Sequence, residues 1–292
     1  MRACSITLLL AAIFMIPVSV YCDTEQHVIE TTDKGSINWT LGIVQGKGTS
    51  APQNKAHDKS DTNPKTLRNA KRDASKNILD TILRVQVDAT TTVKDIALEN
   101  DVIMAEIEGM VREAQEVKNE YLSDGTAVLT LQMSLRGGFA QLMLPQDIKQ
   151  VEAVKPITPV QKSFPSPSTT PENSPDPAPQ VYTGLIVDAR EIKAKPAISL
   201  KIFDETGQEV YGSAYVSREF AVQEGMSGYI QDLSAAQAES RVGPNPLTVK
   251  GLRKQGSGNS DLVISNADTS RLRSASEHLS FLKKCRVIIV LD

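Results

Sequence analysis

The first half of the chain passes from a strand pattern to a helix pattern. Apolar side chains fall at every second position from Ser36 to Val44, which predicts a half-buried strand. Residues 45–63, rich in Gly, Ser, Lys, Asn and Asp, predict a loop. Asn63-Pro64 is typical of an N-cap followed by proline at the first helical position. The helix is expected to reach about Val85, because apolar residues recur every three or four positions.

A second helix and a hairpin complete the pattern of this half. Residues 92–108 keep a weaker helical spacing, and residues 111–122 are typical of a strand. Asp124-Gly125 predicts a hairpin turn, because this pair adopts the positive φ values that such turns require. Residues 126–135 form the returning strand. We therefore expect residues 36–150 to be an α+β domain, with an antiparallel sheet and two helices on one face.

A change in composition separates this domain from a second one. Residues 151–180 are rich in proline, which lacks an amide donor and fixes φ, and they predict an extended linker. Residues 181–292 alternate short strands and helices and are expected to form an α+β domain with a mixed α/β sheet. Its last helix is predicted to have Asn266 or Asp268 as its N-cap and to run to about Leu282. The nearly all-apolar run at 286–291 is expected to be a central strand.

The amino terminus has the pattern of a secretory signal peptide. A positive charge at Arg2 precedes a short apolar run from Ile6 to Val20. This run is too short to span a bilayer comfortably. Cys22 is acceptable at the −1 position, so cleavage is expected between Cys22 and Asp23, followed by a flexible segment at 23–35. The mature protein is then expected in the periplasm or at the outer membrane.

The cysteines leave two alternatives open. Cys22 could carry a lipid instead of being removed, but Tyr21 and Ser19 before it match a lipidation site poorly. Membrane association is therefore expected through partners or, as the alternative, through a lipid on Cys22. Cys285 is the cysteine left after cleavage, so no disulfide within the chain is expected. It is predicted to be a buried strand residue, and a nucleophilic role would need a nearby histidine.

Charge and motifs exclude several function classes. The chain carries 32 Lys and Arg against 35 Asp and Glu, and neither predicted domain is basic, which argues against a nucleic-acid partner. Gly46-Lys-Gly48 lacks the spacing of a phosphate-binding loop. The three histidines, His27, His57 and His278, match no metal-binding spacing. No metal, cofactor or catalytic residue is therefore expected.

Two groups of charged residues remain as candidate binding sites. Asp188 and Arg190 share a face at the end of a predicted strand, where they could bind a glycan or a peptide terminus, or simply pair with each other. The second helix has an acidic surface, which could contact a basic partner or be a solvated face. Its carboxylates are Glu99, Asp101, Glu106 and Glu108.

The first domain resembles known envelope proteins. Three features are similar to the Helicobacter-type twenty-kilodalton outer-membrane lipoprotein family: the Ala-rich helix segment from Ala70 to Ile82, the preceding Gly46-Lys-Gly48 and the following Ser-Asp-Gly turn. The same residues resemble the N-terminal domain of flagellar assembly protein T. The resemblance covers about residues 35–137 and implies an exported bacterial protein, in the flagellar case one that helps to build a periplasmic ring.

These observations favour binding over catalysis. We expect a non-enzymatic exported protein that binds or assembles with other envelope components, flagellar ones among them. One alternative is a periplasmic hydrolase with paired carboxylates in residues 181–292. These would come from Asp188, Asp204, Glu205 and Glu209. The other is a small-ligand-binding protein with an apolar pocket in the same domain. The low aromatic content, 4 %, argues against a sugar-stacking groove.

Overall fold

The structure is a computed structural model that describes residues 26–52, 64–148, 181–274 and 276–292, with side chains from 280 onwards in the last range. The predicted signal peptide, its cleavage site at Cys22 and Asp23, and the proline-rich linker lie outside these residues. Residues 26–148 are called the first unit below, and residues 181–292 the second unit.

The first unit is an antiparallel sheet with helices packed against it. Its elements in chain order are β1 (Ile29–Thr31), β2 (Gly35–Asn38), β3 (Ile43–Ser50), α1 (Pro64–Ile82), α2 (Val93–Glu99), α3 (Asp101–Arg112), β4 (Gln115–Tyr121), β5 (Ala127–Ser134) and α4 (Gly138–Met143). Within the described part, the strand order is β1-β2-β3-β5-β4, and all neighbours are antiparallel. The predicted α+β class is confirmed.

Helix α1 lies directly on β3 because both surfaces carry small residues. A side chain on Gly46 would place its Cβ 2.6 Å from Ile78 Cα, and one on Gly48 would place it 2.7 Å from Ala74 Cα. Ala70, Ala74 and Ile78 are fully buried along the same helix face. The two glycines of Gly46-Lys-Gly48 are thus strand residues that let the helix approach the sheet.

The predicted first strand and the predicted loop after it both differ from the structure. The strand predicted at 36–44 ends at Asn38, and the chain turns before β3 starts, with Gly42 at a φ of 67°. The loop predicted at 45–63 is wrong as far as Ser50, where β3 ends. The sequence of this part of β3 is typical of a loop, because glycines and not apolar side chains lie on the face that packs against α1.

The predicted second helix is interrupted at Asn100. This residue is extended, and its side-chain oxygen accepts a hydrogen bond from the Val102 amide at 3.0 Å. Asparagine competes with helical hydrogen bonds in this way and favours N-cap positions. Thr92 and Asp95 form a capping box at the start of α2. The single helix predicted at 92–108 is therefore two helices that meet at an elbow.

The second unit contains two small sheets. Its elements are β6 (Gly184–Asp188), β7 (Ile202–Phe203), β8 (Glu209–Tyr211), α5 (Arg218–Glu224), β9 (Gly228–Ile230), α6 (Leu233–Ala238), β10 (Pro246–Lys250), β11 (Arg253–Lys254), β12 (Leu262–Val263), α7 (Asn266–Arg273), α8 (Ser276–Lys283) and β13 (Val287–Val290). Among the residues shown, one sheet is parallel, with order β10-β6-β13-β9, and the other is mixed, with order β11-β12-β7-β8.

Strand β13 occupies the position that its composition predicts. It pairs in parallel with β6 on one side and β9 on the other, and all four of its residues are buried. The single helix predicted to run to about Leu282 is divided into α7 and α8, and its N-cap is Ser265 rather than Asn266 or Asp268. Cys285 is buried as predicted, but it lies in the turn before β13 with a φ of 55°, so its predicted place in a strand is wrong.

The two units pack against each other and share one continuous apolar core. The Gly137 amide donates to the Val222 carbonyl at 2.8 Å, and the Ser199 amide donates to the Val87 carbonyl at 2.7 Å. Trp39 of the first unit meets Tyr229 of the second edge to face. Backbone hydrogen bonds and aromatic contacts therefore join the units along the chain regions that flank their sheets.

Candidate functional sites

Asp188 and Arg190 form an ion pair at the carboxyl end of β6. Arg190 Nε donates to Asp188 Oδ1 and Nη2 donates to Oδ2, both at 2.8 Å. This bidentate geometry is the strong form of an arginine–carboxylate pair. The hydrogen bond from Arg190 holds the pKa of Asp188 below its usual range, and the same pair raises the pKa of Arg190. Each residue thus satisfies the charge of the other.

The surroundings of this pair are also ionic and mutually paired. Lys250 Nζ lies 3.6 Å from a carboxylate oxygen of Glu191. The Glu191 amide donates to both carboxylate oxygens of Asp292, at 3.1 and 3.0 Å. Glu191 has a φ of 73°, so the chain turns sharply after β6. Ligands often bind at the carboxyl edge of a parallel sheet. Here the ion pairs of Asp188 with Arg190 and of Glu191 with Lys250 stabilise the turn after β6 instead.

The other predicted carboxylates organise turns or pair with lysine. Asp204 Oδ1 accepts hydrogen bonds from the amides of Thr206 and Gln208 at 3.0 and 2.9 Å. A hydrogen bond from the Thr206 hydroxyl is the main cause of its lowered pKa. Glu205 accepts from the Asn266 amide at 2.8 Å, and Glu209 lies 3.5 Å from Lys201. All three carboxylates are engaged in local structure.

Cys285 is held as a thiol in a buried polar cluster. Burial is the main cause that raises its pKa to about 11, while the nearby charge of Arg241 acts in the opposite direction. Reactive cysteines have a lowered pKa and partial exposure. Arg241 donates to the carbonyls of Cys285, Glu224 and Gly225 at 2.9, 2.8 and 2.6 Å. This cluster ties the turn before β13 to the end of α5.

The structure brings no metal-binding group together within the described ranges, where no set of three or more His, Cys, Asp and Glu side chains converges. His27 Nδ1 lies 3.2 Å from the Asn38 side-chain nitrogen. His57 and the side chain of His278 lie outside the described residues.

A cavity between the two units was not predicted from the sequence. Its volume is about 40 Å³, which is room for about three water molecules. Its walls come from both units, namely Trp39, Gly42, Leu135, Arg136, Ala140, Ala197, Ile198, Ala221, Glu224, Gly225, Met226, Ser227 and Tyr229. These residues are far apart in the chain, and no local pattern connects them.

Trp39 and Tyr229 form the aromatic part of this cavity. Their ring centroids are 5.8 Å apart with an interplanar angle of 73°. The Tyr229 hydroxyl donates to the Ala197 carbonyl at 2.7 Å and accepts from the Ala197 amide at 3.0 Å. Burial raises the pKa of Tyr229 to about 12. Ser227 lies near the Tyr229 hydroxyl and partly opposes the rise in its pKa. Among the described residues, however, Ser227 Oγ makes no hydrogen bond of normal geometry.

The elbow between α2 and α3 exposes two apolar side chains. Leu98 is 74 % exposed and Val102 is 65 % exposed, more than any other large apolar residue in the described ranges. The acidic residues predicted on the second helix lie in and after this part of the chain. Glu99, Asp101, Glu106 and Glu108 are all exposed, and none has an ion-pair partner among the residues placed by the structure. The elbow is defined here as residues 98–102.

Two family models match the chain, one for each unit. Residues 30–136 match the N-terminal domain of Treponema pallidum Tp0624, and residues 184–292 match the second domain of the same protein. No curated protein matches the chain. None of the helices in the described ranges is long and apolar enough to cross a membrane.

These matches correct the resemblance drawn from the sequence. The first unit matches a Tp0624 domain, and not the Helicobacter-type lipoprotein family or flagellar assembly protein T. The misleading pattern was the Ala-rich helix with Gly46-Lys-Gly48 and the Ser-Asp-Gly turn. Small residues in these places are what any helix needs to lie close to a strand, as α1 does on β3. They therefore indicate a packing geometry and not a family.

Proposed function

We propose that the protein is a non-enzymatic, exported component of the bacterial cell envelope that binds other envelope proteins, and that the elbow is its docking surface. The observation that carries this proposal is the exposure of Leu98 and Val102 beside Glu99 and Asp101, carboxylates that form no ion pair among the described residues. Export rests on the predicted signal peptide that ends at Cys22. A flagellar role is not part of the proposal, because the resemblance behind it is overturned.

The apolar part of the elbow supplies a reason to bind. Burying one leucine or valine side chain contributes about 1.5–3 kcal/mol. Leu98 and Val102 are four residues apart on consecutive helices, and Asn100 between them fixes the angle at which the helices meet. A partner that covers both side chains therefore meets a pre-formed surface and orders little of this chain.

The charges in the elbow and on the next turn of α3 indicate the chemistry of the partner. Glu99 and Asp101 flank the apolar pair, and Glu106 lies one helical turn beyond Val102 on α3. Carboxylates that form no ion pair within the described residues favour a segment that carries lysine or arginine beside its apolar side chains. Complementary charges of this kind raise the association rate and make it sensitive to salt.

The side chains elsewhere in the chain that could act in catalysis are engaged in local structure, which also supports a binding role. The Asp188 carboxylate is engaged by Arg190, and burial keeps Cys285 protonated. The carboxylates Asp204, Glu205 and Glu209 hold turns or pair with Lys201. A hydrolytic pair needs one free carboxylate base and one protonated acid.

The proposal is tested with the tagged full-length chain in its bacterial host. A photo-crosslinking amino acid at position 98 should give defined adducts in the envelope fraction, while the same group at Leu41 should give none of them. Leu41 is the matched control because it is also exposed and apolar, at 48 %. The adducts should carry basic segments at the crosslinked site.

Charge reversal separates docking from general adhesion. Glu99→Lys combined with Asp101→Lys should abolish the adducts, and Glu219→Lys combined with Glu239→Lys, on exposed surfaces elsewhere, should leave them unchanged. Identical adducts from positions 98 and 41, or adducts that survive the reversal at the elbow, would contradict the proposal. Retention of the chain in the cytoplasm would contradict the export part.

A further inference from the structure

The outer side of helix α1 carries a row of basic side chains. Four of them are exposed and follow one another at intervals of three or four residues, which places them on one face of the helix. This face lies opposite Ala70, Ala74 and Ile78, which are buried where α1 packs on β3. The basic face of α1 is defined here as Lys65, Arg68, Arg72 and Lys76.

The charges of this row repel one another. Arg72 lies four residues after Arg68 and four before Lys76, and like charges at this spacing destabilise a helix. None of these three side chains forms an ion pair with a residue that the structure describes. The neighbouring carboxylate of Asp73 accepts a hydrogen bond from the Thr49 amide at 2.9 Å. An acidic surface on another molecule would therefore relieve the repulsion.

Helix α3 presents an acidic row of matching length. The acidic face of α3 is defined here as Val102, Glu106, Gly109 and Glu113, which also follow one another at intervals of three or four residues. The three side chains of this face are exposed, and the space above Gly109 is open, with Arg112 Nη2 as the nearest atom to an added Cβ, at 3.8 Å. Each of the two faces spans about three helical turns, or about 16 Å at a rise of 1.5 Å per residue.

The two faces belong to one pair of helices. Helix α3 packs against α1, yet within the part of the chain that the structure describes no ion pair joins Arg68, Arg72 or Lys76 to an acid of α3. Their charges are thus not neutralised across the helix pair. The same chain displays a basic surface and an acidic surface of equal length.

Long basic side chains also match the apolar part of the elbow. Lysine and arginine lay their methylene stems on apolar surface while their charged ends reach beyond it. Leu98 and Val102 are 74 % and 65 % exposed. The stems of Arg68 and Arg72 from another molecule would cover this apolar pair, and their guanidinium groups would reach carboxylates such as Glu106.

We propose that the partner of the elbow is helix α1 of a second copy of this chain, whose basic face lies along the acidic face of α3. The inference rests on the proposed function, because it names the partner of the same surface. Since α1 and α3 touch, a twofold axis lets each copy supply one basic face and receive the other. The dimer contains two identical contacts, and opposite charges along both make it sensitive to salt.

Sedimentation of the chain purified from its bacterial host tests the pairing. The protein should be mainly dimeric at about 10 mM salt and mainly monomeric at about 1 M salt, because the Debye length falls from about 30 Å to about 3 Å. A monomer at both salt concentrations would overturn the inference. A dimer that is indifferent to salt would also overturn it, because its contact would not be the charged one.

Charge reversal on each face should separate the copies. The α1 variant carries Arg68→Glu and Arg72→Glu, and the α3 variant carries Glu106→Lys and Glu113→Lys. Each variant alone should self-associate at least about ten-fold more weakly, because its contacts then join like charges. An equal mixture of the two should form a heterodimer, since the acidic α1 of one meets the basic α3 of the other and the unchanged faces still match. A mixture that stays monomeric would refute the pairing.

Reversals on exposed surfaces of the second unit are the controls. Glu219→Lys with Glu239→Lys, and Lys283→Glu with Lys284→Glu, should dimerise as the parent does. If a reversal variant fails to fold, which its melting temperature reports, crosslinking on the parent decides. A photo-crosslinking amino acid at position 102, in a mixture of isotopically labelled and unlabelled chains, should join one chain to residues 65–76 of the other. Crosslinks to other segments would contradict the assignment.

The failure of this inference and the failure of the proposed function have different outcomes. If the chain is monomeric in these experiments while a crosslinker at position 98 still captures a different envelope protein in the host, the second copy is not the partner and the elbow remains a docking surface. If the chain is monomeric and position 98 gives no adduct, both proposals fail.

Discussion

The ring of Trp39 meets the ring of Tyr229 edge to face, with centroids 5.8 Å apart, and this contact joins the two units. Both side chains are buried, at 6 % and 5 % exposure. Trp39 follows β2, and Tyr229 lies within β9, so each ring extends from a sheet strand or its end. Aromatic pairs of this geometry add about 0.5–1.5 kcal/mol to the gain from buried area. The units are therefore held by a specific contact as well as by apolar burial.

Removal of the Tyr229 hydroxyl should destabilise the junction. Tyr229→Phe leaves both polar groups of Ala197 without their hydrogen bonds in a buried place, which costs about 1–3 kcal/mol. The free energy of unfolding from urea titration should fall by this amount. Tyr121→Phe, at a partly exposed position whose hydroxyl makes no comparable bond to the residues that the structure describes, is the control and should change stability little. An equal effect of the two substitutions would refute the role of the hydroxyl.

A methyl group at position 48 should disrupt the packing of α1 on β3. The added Cβ of Gly48→Ala would overlap the backbone of Ala70 and Ala74, and a helix backbone cannot give way as a side-chain tip can. We expect a loss of about 3 kcal/mol or more, at the upper end of overpacking effects.

Gly109→Ala is the matched control for this substitution. Gly109 lies inside α3, and an added Cβ would find its nearest atom 3.8 Å away. Alanine there should stabilise the protein by up to about 1 kcal/mol through helix propensity. The two changes should therefore move the urea midpoint in opposite directions, and equal shifts would contradict the close helix–strand contact.

Asp188 and Asp261 should give opposite dependences on pH. The hydrogen bond from Arg190 lowers the pKa of Asp188, so its stabilisation is present above the ordinary pKa of 3.8 and is lost as pH falls through the lower folded value. Burial raises the pKa of Asp261, so its ionised form costs stability once pH rises through that raised value.

Substitution by asparagine tests both signs. At pH 7, Asp188→Asn should lower the free energy of unfolding. Asp261→Asn should raise it, because the asparagine oxygen still accepts the hydrogen bond from the Lys201 amide, now 2.9 Å long. Both differences should shrink as pH falls, that of Asp261 first. A stabilising Asp188→Asn or a destabilising Asp261→Asn would show that the assigned causes are wrong.

Cys285 should resist thiol reagents in the folded protein. With a pKa of about 11, roughly one molecule in a thousand carries the thiolate at pH 8. A Cys4→Ser, Cys22→Ser variant should react slowly with Ellman's reagent when folded and should release one equivalent when unfolded in urea. Fast reaction of the folded variant would mean that the thiol is accessible and ionised.

The local pattern of the chain was sufficient for several elements. Apolar spacing predicted α1, and Asp124-Gly125 predicted the turn between β4 and β5. The apolar run at 286–291 predicted a strand, and β13 is indeed central in its sheet. These signals succeed because a helix or strand that buries one or both faces must repeat apolar residues at its own period.

Other elements depend on contacts that the pattern does not contain. The sequence at the end of β3 is typical of a loop. Its glycines are explained only by the close approach of helix α1, which the sequence does not show. Asn100 reads as one polar residue in a helix, yet its cap divides that helix in two. The same packing pattern also suggested a family that the comparisons overturn.

The candidate sites show the same division. Asp188 and Arg190 are two residues apart on one strand end, so the sequence placed them together, but only the fold shows that they pair with each other. The acidic composition of the second helix was evident, whereas the exposure of Leu98 and Val102 was not. Arg136 and Glu224 lie far apart in the chain and in different units, so only the fold places them at one cavity.

The sequence by itself determined the periodic elements, the division into two α+β units, and the expectation of export. The tertiary structure decided how the units join, which charges are paired, and where a cavity opens. The physical reason is the separation along the chain of the residues that interact. Backbone periodicity and turn chemistry act between neighbours in the chain, whereas burial, charge pairing and cavity walls are set by residues such as Trp39 and Tyr229 that only folding brings together.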